Sequence, residues 1–112
     1  MDANEQKIRD YIKAERFNGN ELDLGDYDTV YRSLYDVASN CDLDVDFDFV
    51  DTGSDCYIYA TCYVPNMISD GQWYNVIVDV DVKADYDNDE QFIEELVRLD
   101  NRAKRILSHF KK

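Results

Sequence analysis

Residues 42–51, DLDVDFDFVD, alternate a carboxylate with an apolar side chain from Asp42 to Phe49. Successive side chains of a strand point to opposite faces, so a period of two predicts a strand with Leu43, Val45, Phe47 and Phe49 on one side. Asp42, Asp44, Asp46 and Asp48 fall on the other. Burying four unpaired carboxylates would cost more than a marginally stable domain can offset, so the aspartates are assigned to water and the apolar row to a core. The stretch therefore predicts a sheet with one buried face and one solvent face.

Working outward, TGSD at 52–55 and PNMISDGQ at 65–72 carry the residues that turns require, and they separate two further strand patterns. The second strand puts Cys56, Ile58, Ala60, Cys62 and Val64 inward and Tyr57, Tyr59, Thr61 and Tyr63 outward. The third puts Tyr74, Val76, Val78, Val80 and Val82 inward and Asn75, Ile77, Asp79, Asp81 and Lys83 outward. Connections this short predict an antiparallel meander. Before it, Ile8, Tyr11 and Ile12 mark a helix over 3–17. A loop, NGNELDLGD at 18–26, leads to a second helix capped by Asp26 or Asp28 and running to about Asn40. After it, DNDE at 87–90 has the form of a capping box, with Asp87 as cap and Glu90 reaching back. Phe92, Leu96, Leu99, Ala103, Ile106 and Phe110 then keep helical spacing. No repeat, linker or composition break divides the 112 residues, so they are expected to form a single α+β domain. Its order is ααβββα, a three-stranded antiparallel meander with helices on one face and an acidic, tyrosine-bearing solvent face.

The formal charge of −13 is unevenly spread: residues 20–91 hold eighteen acids against Arg32 and Lys83 alone, whereas residues 92–112 sum to +3. Such a field repels phosphate and accelerates approach to a basic surface, so it disfavours direct nucleic-acid binding and predicts a cationic partner. Aspartate is depleted in strands and like charges two residues apart repel, so local stability does not account for the choice of Asp at every outward position of the first strand. A solubilising surface is one reading. The other is a binding face in which tyrosines, flanked by lanes of aspartate, supply contact area for a basic groove. Residues two apart on a strand are about 6.7 Å apart, whereas duplex DNA presents a charge about every 1.7 Å of axis. One row is too sparse to imitate DNA; two rows with the acids at the strand ends come nearer. The expected partner-binding set is Asp42, Asp44, Asp46, Asp48, Tyr57, Tyr59, Tyr63, Asp79, Asp81, Asp85, Asp87 and Asp89, with Asp51, Asp55 and Asp70 at its margins.

Other chemistry finds little support. Asp85, Asp87 and Asp89 match the first three ligand positions of an EF-hand loop, but Glu90 stands where glycine is needed and Leu96 where glutamate is needed. Cys41, Cys56 and Cys62 lack zinc or disulfide spacing and are read as small buried hydrophobes. The single histidine, His109, lies near the chain end, and no phosphate-cradling loop, nucleophile elbow or H-E-x-x-H occurs. The expectation is no enzyme, no metal and no cofactor. The chain has neither a cationic leader followed by an apolar run nor 18 consecutive apolar residues, which predicts a soluble cytoplasmic protein without a membrane partner.

DLDVDFDFVD together with DVDVKADYDNDE at 79–90 resembles, in charge pattern, small acidic phage proteins that inhibit host defence nucleases, the anti-CRISPR and anti-restriction DNA mimics. The resemblance covers residues 42–90 and implies occlusion of a basic nucleic-acid-binding groove on a nuclease or CRISPR effector, in the host cytoplasm. Positive residues at the chain ends depart from an all-acidic mimic, which leaves the sheet face as the engaging surface. The alternatives are an immunity protein or antitoxin neutralising a basic nuclease toxin, and a soluble accessory protein whose acidic surface only solubilises.

Overall fold

A computed structural model describes residues 3–19, 26–65 and 71–110. Helices α1 (Ala3–Phe17) and α2 (Tyr27–Asn40) precede strands β1 (Asp46–Asp51), β2 (Cys56–Pro65) and β3 (Trp73–Val82), and helix α3 (Asp89–Ser108) follows. The strands form one open antiparallel sheet in the order β1-β2-β3, so the fold is α+β with the expected order ααβββα. Parts of both expected connections, 20–25 and 66–70 with Asp70, lie outside the described residues.

The helices form because each buries one stripe. α2 lays Val30, Leu34, Val37 and Ala38 on β1 and β2, and α3 lays Phe92, Leu96, Leu99 and Ala103 across β2 and β3. α1 packs against both helices through Ile8 and Ile12. Val45, Phe47, Ile58, Ala60, Cys62, Val64, Val78 and Val82 close the core from the sheet side. All three helices therefore sit on one side of the sheet, and among the described residues none covers its other, bare face.

Several boundaries differ from the sequence reading. β1 begins at Asp46, because Asp42 and Asp44 belong to the turn that ends α2. Asp42 has φ 52°. Its N–H donates to Ser39 O and that of Leu43 to Ala38 O at 3.0 Å, the paired bonds of a Schellman motif with Asp in the place usual for glycine. α3 is capped one residue later than expected: Asn88 Oδ1 accepts from Gln91 N at 3.0 Å, and Gln91 Oε1 accepts from Asp87 N at 2.9 Å. Glu90 points away from the cap and meets Arg9 of α1 through two bonds of 2.8 and 2.6 Å.

The third strand departs most. Its pairing with β2 shifts register on both sides of Ala60, whose partner is Asp79. Extra residues in one strand bulge it and redirect its side chains. Val78 and Asp79 both lie on the helix side, while Val80, expected inward, is 65% exposed on the bare face. Asp79, expected outward, meets Arg98 at 3.2 Å and Arg102 at 3.3 Å, both on α3. Tyr74, also expected inward, stands 54% exposed next to the strand start, and Cys56 is exposed at the outset of β2.

Candidate interaction face

The aspartates of residues 42–51 do local backbone work. β1 is an edge strand, so alternate N–H groups have no neighbouring strand to bond. Asp46 Oδ1 accepts from Phe47 N and Asp48 Oδ1 from Phe49 N, both at 2.9 Å. Asp51 Oδ1 accepts from Gly53 N at 2.9 Å in the four-residue loop, where Gly53 at φ 88° takes a conformation that a Cβ would strain. A short carboxylate can reach its own following amides in a way that Lys, Arg or Gln cannot. The same side chains leave charge on that edge, half-buried at Asp46 and exposed at Asp48 and Asp51, which discourages another strand from docking there.

Across the bare face the residues fall in rows set by the pairing. Asp46 lies beside Thr61 and Ile77, Asp48 beside Tyr59, and Val50 beside Tyr57. Val50, Tyr57, Tyr59, Ile77, Val80 and Asp81 line an open depression of about 620 Å³. Its floor is apolar and aromatic, with Ile77 about half exposed and Val80 more so. Tyr57 and Tyr59 have ring centroids 6.3 Å apart, and the Tyr59 hydroxyl donates to Asp48 Oδ2 at 2.9 Å. That bond to a carboxylate raises the Tyr59 pKa above its ordinary value. Tyr63, 53% exposed, and Trp73, 62% exposed, continue the aromatic strip toward the other end of the sheet.

The expected set thus divides. Asp46, Asp48, Tyr57, Tyr59, Tyr63 and Asp81 share the bare face. Asp42 and Asp44 lie beyond its end in the turn, Asp85 and Asp87 are exposed between β3 and α3, and Asp79 is held by the two arginines on the helix side. Asp89 is bound bidentately by Arg16 of α1, the Nε bond measuring 2.8 Å. The expected pair of aspartate lanes is therefore one lane, of Asp46 and Asp48, facing an apolar β3. The bulge removes Asp79 from the second lane and substitutes Val80.

Two features escaped the sequence reading. Val50, Ile77 and Val80 complete the floor of the depression; an isoleucine at an outward position of β3 was the available signal. Asp100, in the middle of α3, is 1% exposed. It accepts from Asn4 Nδ2, Asp44 N and Lys104 Nζ, each at 2.8 Å, and so ties α1, the α2–β1 turn and α3 together.

Among the described residues no three His, Cys, Asp or Glu side chains gather in a group that could hold a metal ion, and no helix is long and apolar enough to cross a membrane. His109 is exposed at the C-cap of α3. Comparison with protein-family models, curated proteins and solved structures finds no significant match.

Proposed function

We propose that the protein is an acidic inhibitor that docks the bare face of its sheet on the basic, nucleic-acid-binding groove of a protein partner and blocks that groove sterically. The observation that carries this reading is the depression of Val50, Tyr57, Tyr59, Ile77 and Val80, uncovered by any helix and bordered by Asp46, Asp48 and Asp81 in a chain of charge −13. A solubilising surface needs charge but gains nothing from exposed Ile, Val and Tyr at its centre, whereas interfaces combine aromatic anchors with a polar rim. Carboxylates around the rim would steer the encounter, and the tyrosines would stack on arginines of the groove. With one short lane of aspartate, the face suits an anchored patch better than a lattice of phosphate-spaced charges. The target class is a nuclease or CRISPR effector of the host, as the resemblance to phage inhibitors implies.

The test is displacement of a labelled DNA duplex from a panel of basic nucleases and effectors. The protein is expected to release DNA from its target without binding DNA itself, with an association rate that falls steeply as salt rises. A shift of nucleic acid by the protein alone would overturn the reading.

A further inference from the structure

We infer that the free edge of β3, over residues 73–77, is a strand-addition site that receives an extended cationic segment of the partner; this rests on the docking role proposed for the bare face. The order β1-β2-β3 leaves two edges. The β1 edge is closed by its own carboxylates, with Asp46 and Asp48 each taking a backbone N–H at 2.9 Å. Among the described residues the β3 edge shows no such guard over its first half. The β3 amide bonded by a carboxylate of its own strand is that of Asp81, which donates to Asp79 Oδ1 at 3.1 Å, and it lies in the bulged region.

Before that bulge β3 is regular. From Pro65↔Trp73 to Thr61↔Ile77 the pairing advances one residue at a time. At about 3.3 Å per residue the run is about 17 Å long, enough for several main-chain bonds. It carries three of the large exposed hydrophobics of the chain, Trp73, Tyr74 and Ile77. A regular, apolar, uncapped edge is a template for another strand, and proteins usually blunt such edges as this one blunts β1. Trp73, Asn75 and Ile77 point to the bare face. A strand added beside them would lay its alternate side chains next to the depression.

Charge selects the occupant. A second copy on this edge would continue the sheet and bring two bare faces, each with Asp46, Asp48 and Asp81, side by side between two chains of charge −13. An extended segment with alternating cationic side chains would instead place them over the exposed rings and near Asp81.

The probe is a short synthetic peptide of alternating arginine and valine, compared with the same peptide methylated on every backbone nitrogen, which keeps its side chains and charge but cannot donate main-chain hydrogen bonds. Binding to the full chain is followed by titration and by amide hydrogen exchange. The unmethylated peptide is expected to protect amides of residues 73–77 and to bind about tenfold or more tighter, the worth of one or two net hydrogen bonds. Equal affinity of the two peptides, or protection confined to β1, would overturn strand addition while leaving the docking face standing. Concentration-dependent dimerisation of the chain through these amides, without peptide, would give the edge to a second copy and overturn the inference. No binding of either peptide would overturn the cationic docking reading together with this one.

Discussion

Replacing Asp100 by alanine is expected to destabilise the fold by about 3 kcal/mol, a sum built from its three partners. The carboxylate is 1% exposed and takes hydrogen bonds from Asn4, Asp44 N and Lys104. Losing it leaves the Asp44 amide without its acceptor, at a cost of about 1–3 kcal/mol. The Asn4 amide loses a bond worth about 1 kcal/mol. Lys104, whose side chain is 39% exposed, can rehydrate its ammonium, so its pair adds at most about 1 kcal/mol. Asp100→Asn keeps one acceptor oxygen and the volume but turns an N–H₂ toward donors, so a smaller loss of about 1–2 kcal/mol is expected. Urea unfolding followed by circular dichroism measures both, and the midpoint should fall with the slope unchanged. An alanine variant within about 0.5 kcal/mol of the parent, as for an ordinary surface change, would refute the assignment of Asp100 as the tie among α1, the α2–β1 turn and α3.

Three further outcomes follow from the same packing. Phe47→Ala, at a site 4% exposed, should cost about 3–5 kcal/mol in the same assay. Val80→Asp should be tolerated within about 0.5 kcal/mol whereas Val78→Asp should unfold the chain or come close to it, and a comparably large loss from both would mean that β3 is not bulged. Hydrogen bonding to Arg9 holds the Glu90 carboxyl below its ordinary 4.5, so the unfolded chain binds the proton more tightly. Its stabilising contribution is present above about pH 4.5 and is lost as pH falls through the lowered value. Parent and Glu90→Gln should therefore differ at neutral pH and converge in acid; a constant difference across that range would contradict the pairing.

Much of this fold is legible because most elements bury one periodic stripe. Leu96, Leu99 and Ala103, or Val30, Leu34 and Val37, announce their helices whatever packs on them. The alternation at 42–51 announces a strand but not its start, since Leu43 and Val45 can turn inward from a helix-ending turn as readily as from a strand. The bulge in β3 is hidden for a related reason. Val76, Val78, Val80 and Val82 offer a faultless period of two, while the arginines that hold Asp79 lie 19 and 23 residues further on. Asp100 sits in the polar run DNRAKR and is buried only because Asn4 and Asp44 converge on it across the fold. The acidic face was legible as a face. Its apolar floor was not, because it depends on the register between β2 and β3.

On the function proposed above, the bare face, and not total charge, engages a basic partner. This claim is tested by changing Asp46, Asp48 and Asp81 together to asparagine, against a control carrying Asp10, Asp26 and Glu94 as their amides. Both variants lose three charges, asparagine keeps an acceptor oxygen for the Phe47 and Phe49 amides, and the control residues lie on or beside the helices, away from the bare face. The measurement is the affinity for a basic nuclease from which the parent displaces DNA. The face variant is expected to bind about tenfold or more weakly, with slower association at low salt, while the control stays within about twofold of the parent. Equal loss from both variants would contradict the claim.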